Sequence, residues 1–166
     1  MSTDAIVILK DEHKLIRRLF RDYERTTSTA TARRGEIVEQ LIALLTNHTY
    51  VENEVMYPRV RELVPSLEQD ILESYEEHHV ADMLVAELAV MEPYEERFNA
   101  KVRVLIESVE HHIDEEESDW FPQVRAALGR KPLQEIGQEL LRAREDAPTR
   151  PSHPSPVAKI VKAVLE

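Results

Sequence analysis

The chain has 166 residues, with 32 acidic against 21 basic side chains and a formal net charge of −11, which suits one globular domain and excludes two large ones. The negative surplus opposes association with phosphate backbones and anionic lipid, so neither nucleic acid nor a membrane surface is expected as a partner. Three glycines argue against an all-β sandwich, and the lack of cysteine excludes a disulfide framework and a thiolate metal site, so any metal must be held by imidazole and carboxylate.

At the amino terminus, the apolar run Ile6 to Leu9 ends at Lys10 and Asp11, too short for the core of an export signal. No stretch reaches the roughly 18 uninterrupted apolar residues of a membrane span; the richest, 80–91, carries Asp82 and Glu87. A cytoplasmic protein is expected. Helical periodicity starts near Asp4 and runs to about Arg25, with Ile6, Leu9, His13, Ile16, Phe20 and Tyr23 on one seam. Thr26 to Gly35 is polar and ends in glycine, which predicts a connection. The second helix carries Ile37, Leu41, Leu44, His48, Glu52 and Val55 and is expected to stop at Tyr57, before Pro58. A third is predicted from Ser66, with Gln69 completing a capping box, to about Glu92. The fourth, with Phe98, Val102, Leu105, Val109, His112 and Glu116 on its stripe, is predicted to end at about Phe121. Gly129 to Pro132 breaks the pattern. Leu133 to Glu145 follows as a shorter amphipathic helix, then a proline-rich linker over 147–156 and a small apolar segment over 157–165. The expected organisation is all-α: an up-down-up-down four-helix bundle over 1–128, and an accessory helix and tail over 129–166.

An internal repeat places the chemistry. His48-xxx-Glu52 followed by Tyr57-Pro58 matches His112-xxx-Glu116 followed by Phe121-Pro122, and Asp11-Glu12-His13 resembles Glu76-Glu77-His78. His13 to His48 is 48 − 13 = 35 residues, and His78 to His112 is 112 − 78 = 34. In an up-down bundle, residues at equal height are equidistant from the turn between them. The midpoints fall at Ala30/Thr31, Leu63 and Glu95, all in or beside predicted turns. Four seam histidines, one per helix, are therefore expected at one level of the interior. Positions i and i+4 share a helix face, so His48/Glu52 and His112/Glu116 each present imidazole and carboxylate together. The second and fourth helices run in the same direction, so the two glutamates approach each other, an arrangement suited to two metal ions bridged by carboxylates. Without cations, the same two carboxylates would repel in a desolvated interior.

Of the seven histidines, His111 lies on a mostly polar stripe and is expected in solvent, and His153 sits among prolines. Periodicity does not separate His78 from His79, whose stripe is itself apolar. The alignment of Glu77-His78 with Glu12-His13 favours His78.

These residues resemble the hemerythrin-like HHE cation-binding domains over about Asp4 to Leu128. The resemblance implies a non-heme di-iron centre, two iron ions with an oxo or hydroxo bridge. It makes His13, His48, His78 and His112 terminal ligands, and Glu52 and Glu116 bridging carboxylates. Oxygen-carrying hemerythrins place a further histidine four residues after the third-helix ligand. Here that position is Asp82, which would supply an oxygen ligand or leave the place to solvent, and which argues against reversible dioxygen carriage. Ferritin-like bundles use Glu-xx-His on two helices, whereas only Glu76-xx-His79 fits here. Zinc is less suited, since it prefers four ligands at a single centre.

The expected function is a di-iron protein that binds or reacts with dioxygen, peroxide or nitric oxide, in oxygen handling, oxidative-stress defence or iron homeostasis. Two alternatives differ in kind. One is a peroxide-decomposing or oxidase enzyme assisted by Tyr75, Tyr23 or Trp120. The other is a regulatory module whose metal state acts on the carboxy-terminal helix or tail.

Overall fold

The computed structural model describes residues 2–151, all helices and connections with no strand among them. α1 (Ala5–Glu24), α2 (Thr31–Val51), α4 (Glu68–Leu88) and α5 (Phe98–Glu115) form the expected up-down-up-down bundle, with α1 against α2 and α5, and α4 against α2 and α5. α1 starts where the sequence signals it, because the Asp4 carboxylate caps the amides of Ile6 and Val7 at 3.0 and 3.2 Å.

Several boundaries differ from expectation, each for a physical reason. α2 begins at Thr31, so Gly35 lies within the helix rather than ending a loop. A Cβ there would come within 2.7 Å of Pro93 Cγ, so glycine is required by the approach of the loop after α4. Pro58 does not end the second helix. Glu52–Met56 forms a π-helical turn, in which the Tyr57 amide donates to the Glu52 carbonyl, and the chain continues as α3 (Tyr57–Leu63). Its counterpart repeats this: Glu116–Trp120 is a π turn, the Phe121 amide donates to the Glu116 carbonyl, and α6 (Phe121–Leu128) follows with Pro122 in its first turn. The wider turn relieves the clash that a proline ring makes with the carbonyl four residues back. The Ser66/Gln69 capping box does not form: Pro65–Leu67 is a single 3-10 turn, and α4 starts at Glu68 without a side-chain cap. α4 ends at Leu88, short of Glu92.

α7 (Arg130–Asp146) starts directly after Gly129 and carries Pro132 in its first turn, where a missing amide costs nothing. Leu133, Ile136 and Leu140 are buried in the same cluster as Ala5, Leu9, Val60 and Ile71. The linker continues past the last described residue, and the apolar segment 157–165 lies outside the described residues.

The core is in two parts. One holds Ile16, Phe20, Leu41, Leu45, Val85, Leu88, Val102 and Leu105; the other holds Leu9, Val51, Met56, Tyr57, Ile71, Trp120 and Phe121. Between them runs a polar layer, since the buried polar residues are Glu12, His13, His48, Thr49, Glu52, Ser74, His78, His112 and Glu116. No helix among the described residues is long and apolar enough to cross a membrane.

Candidate metal centre

All six residues singled out in the sequence, His13, His48, Glu52, His78, His112 and Glu116, lie in this layer, each 6% exposed or less. His79 is exposed, and the side chain of His111 is 69% exposed, so His78 lies in the layer and its neighbour outside it. The rings of His13 and His48 sit 4.9 Å apart, those of His78 and His112 4.7 Å, as the equal-height argument requires.

The six residues form two adjoining groups. His13, His48, Glu52 and Glu116 present ligand-type atoms within 4.8 Å of one another, and so do Glu52, His78 and His112. The two glutamates face both ways. Glu52 Oε1 is 3.4 Å from His48 Nε2, while its Oε2 is 3.1 Å from His78 Nε2. Glu116 Oε2 is 3.3 Å from His13 Nε2, while its Oε1 is 3.4 Å from His112 Nε2. Each carboxylate thus offers one oxygen to either group.

Four buried atoms of the first group, His13 Nε2, His48 Nε2, Glu52 Oε1 and Glu116 Oε2, have no hydrogen-bond partner. Buried polar groups are normally satisfied, and leaving one unpaired costs about 1–3 kcal/mol. Four such atoms converging on one point match the donor set of a cation of the imidazole- and carboxylate-binding kind.

Each imidazole is held from behind through Nδ1. His48 meets Glu12 at 2.6 Å, His13 meets Glu117 at 2.9 Å, His78 meets Asn53 at 2.7 Å, and His112 meets Glu77. Two of these supports are themselves anchored. Arg144 of α7 reaches Glu12 at 2.5 Å, and Arg17 reaches Glu117 at 3.0 Å. Such partners fix the ring orientation and leave Nε2 turned toward the centre. Glu12 and Glu77 were visible in the sequence only as part of the aligned Glu-His pairs, and Glu117 and Asn53 were not picked out.

Sequence reasoning also missed Tyr57. Its hydroxyl lies 2.7 Å from Glu116 Oε1, 3.2 Å from Glu52 Oε2, 3.1 Å from His78 Nε2 and 3.4 Å from His112 Nε2, at the heart of the second group. The signal was the repeat itself, which sets Tyr57 against Phe121. Phe121 stacks on His13 with ring centroids 5.8 Å apart. The aromatic residues proposed as assistants are farther out. Tyr75 and Trp120 pack edge-on against Tyr57, and Tyr23 bonds Asn99 in the other half of the core. Asp82 does not join either group. It is exposed on α4 and accepts a hydrogen bond from Thr49 Oγ1 at 3.3 Å.

Electrostatics explain how the chain tolerates this layer. Burial opposes charge on His48, but the Glu52 carboxylate and the bond to Glu12 push its pKa up to about 9. His112 is likewise raised well above the ordinary imidazole value, against its burial, by Glu116 and Glu77. Burial would raise Glu116, yet His112 and His13 hold it well below the usual carboxylate range. Burial, with the charges of Glu116 and Glu52, pushes the Tyr57 phenol well up.

The stabilisation from His48 is complete below its ordinary value of 6.5 and is lost as pH rises through about 9. That from Glu116 is complete above 4.5 and is lost as pH falls. The metal-free protein should therefore draw most stability from these groups between pH 4.5 and 6.5. Urea midpoints measured over roughly pH 3 to 10 should fall on both flanks, and a level alkaline flank would contradict the pairing of His48.

Fold and site together define a helical-bundle protein with a buried histidine and glutamate centre. Residues 4–124 match the hemerythrin HHE cation binding domain, and the chain belongs to that family. Among curated proteins it is similar to a DNA nickase from Nostoc sp., 27% identical over 137 residues, which is 82% of this chain and 38% of the relative. The chain thus spans well under half that protein's length. Among solved structures it resembles a hemerythrin HHE cation binding domain-containing protein from Mycobacterium kansasii, with a TM-score of 0.71, 22% identity and 86% of both chains covered. That likeness shows a shared fold.

Proposed function

We propose that the polar layer holds two iron ions, with His13, His48, His78 and His112 as terminal ligands and Glu52 and Glu116 shared, and that the protein binds or reacts with dioxygen, peroxide or nitric oxide. The observation that carries this reading is the convergence of the four unpartnered atoms, His13 Nε2, His48 Nε2, Glu52 Oε1 and Glu116 Oε2, with the companion oxygens of both glutamates turned to the second histidine pair. Bound iron would supply redox chemistry that none of these side chains has alone.

The surroundings favour a very small ligand. A cavity of about 20 Å³ lies beside His48, His78 and His112, walled by Leu45, Ala81, Val109 and Ile113. That volume admits roughly one water-sized molecule. Strand cleavage, as the name of the Nostoc relative suggests, gains no support from this chain's charge of −11, which repels a phosphate backbone.

Ferrous iron added to metal-free protein without air, followed by oxygen, should leave two irons per chain and near-ultraviolet charge-transfer absorption. A colourless protein that retains no iron would overturn the proposal. In the same preparation, His78→Ala should lose metal while His79→Ala keeps it, since only His78 is buried among the other ligands.

One observation favours turnover over simple binding. The Tyr57 hydroxyl is a hydrogen-bond donor 2.7 Å from Glu116 Oε1, within reach of anything bound at the second group. Tyr57→Phe should keep its iron but slow oxygen evolution from peroxide by about 10²-fold, the usual worth of a preorganised hydrogen-bond donor. Equal rates would leave the binding reading alone.

A further inference from the structure

The carboxylates behind the histidines are not equivalent. Glu12 is closed off by Arg144 and Glu117 by Arg17. Glu77, which supports His112, has no arginine or lysine partner among the described residues. Instead it faces His111 and Glu115 of α5, and the three present ligand-type atoms within 4.8 Å of one another. His111 and Glu115 are one helical turn apart, with His111 Nε2 3.1 Å from Glu115 Oε1, and their side chains are 69% and 58% exposed. A histidine with two carboxylates is a donor set for a divalent transition metal, not merely an acidic patch.

This cluster adjoins a cavity of about 330 Å³. Asp70, Glu73, Glu77, Glu115 and Asp119 line it, His112 and Glu116 are its buried wall, and no lysine or arginine contributes. Trp120 lines it too, 4% exposed, with an indole N–H that has no partner. A concave wall of one charge raises the local concentration of counter-ions and their rate of arrival, by about 10-fold or more.

We propose that Glu77, His111 and Glu115 form a third, surface metal site that captures a divalent cation and passes it through the acidic cavity to His112 and Glu116, with Glu77 belonging to both ends of the route. The passage rests on the proposed metal centre, whereas the surface site stands on its own geometry. At the corresponding place in the first half of the bundle, Arg144 covers Glu12, and Asn47 of α2 donates to the Arg144 carbonyl at 3.4 Å.

Two measurements on the full chain test the two parts. Zn²⁺ uptake by the full chain, counted by titration calorimetry, should include one site that is lost in His111→Ala and kept in His79→Ala; loss in both variants, or in neither, overturns the surface site. Co²⁺ uptake into metal-free protein, followed by visible absorption in stopped flow, should be about tenfold slower in His111→Ala and Glu115→Gln. The final ion content should fall short of wild type by at most the one surface ion, and Glu36→Gln, an exposed carboxylate elsewhere, should load at the wild-type rate. Wild-type rates in both mouth variants overturn the capture route. A wild-type protein that shows the His111-dependent Zn²⁺ site yet takes up no further Co²⁺ supports the surface site and overturns the interior centre together with the passage.

Discussion

Glutamine at position 116 should empty the centre. Glu116 gives one oxygen to each histidine pair, so in the proposed two-ion centre Glu116→Gln would remove an anionic ligand from both ions at once and leave a neutral amide that binds hard cations poorly. Loss of an outer partner of a metal ligand typically costs 10–100-fold in affinity; losing a shared ligand should exceed about 100-fold. The metal-free protein should suffer as well. Glu116 is 2% exposed and sits against His112 and His13, and removing one member of a buried ion pair costs about 3–5 kcal/mol. Metal analysis after gel filtration and urea unfolding of the metal-free variant read the two effects separately. Two retained ions in the glutamine variant would remove Glu116 from the centre. Glu52→Gln should behave alike, since Glu52 also faces both groups.

The second large effect is remote from the ligands. Gly137 of α7 lies under the amino-terminal segment, where a Cβ would sit 1.6 Å from the Thr3 carbonyl oxygen and 2.6 Å from its carbon. Both are backbone atoms, so no side chain can swing away. In an exposed helix, Gly→Ala gains about 1 kcal/mol. Here the sign should reverse, because overpacking of this kind costs about 1–3 kcal/mol and sometimes more. We expect Gly137→Ala to lower the unfolding temperature by about 5–10 °C in a chain of this size. The shift of α7 should also loosen Arg144 from Glu12, and thereby the support of His48. A melting temperature at or above wild type would mean that the amino-terminal segment does not rest on α7.

Some of this was legible in the residue order, and the reasons divide by range. The four histidines and two glutamates could be found because duplication writes the same spacing twice, and the equal-distance rule converts spacing into height without knowledge of packing. Periodicity did not separate His78 from His79, since both lie on stripes with apolar residues, but the alignment of Glu77-His78 with Glu12-His13 favoured His78, which is the one that meets Asn53. Pro58 and Pro122 resemble helix stops because a ring that blocks an α turn looks the same in sequence as one that follows a π turn. Their equal spacing from Glu52 and Glu116 was the available hint. Gly35 and Gly137 answer to Pro93 and Thr3, far away along the chain, and no local pattern announces such an approach. Tyr57 was hidden among residues that resemble core aromatics, its hydroxyl distinguishable only once two acidic side chains and two imidazoles surround it.

The exchange of tyrosine for phenylalanine between the two halves also bears on electron affinity. Two near-copies of a hairpin would give a pair of ions matching environments and nothing to rank one above the other. A lone phenol near His78 and His112, opposite a bare benzene ring against His13, would break that tie, so in the proposed two-ion centre an added electron would have a preferred resting place.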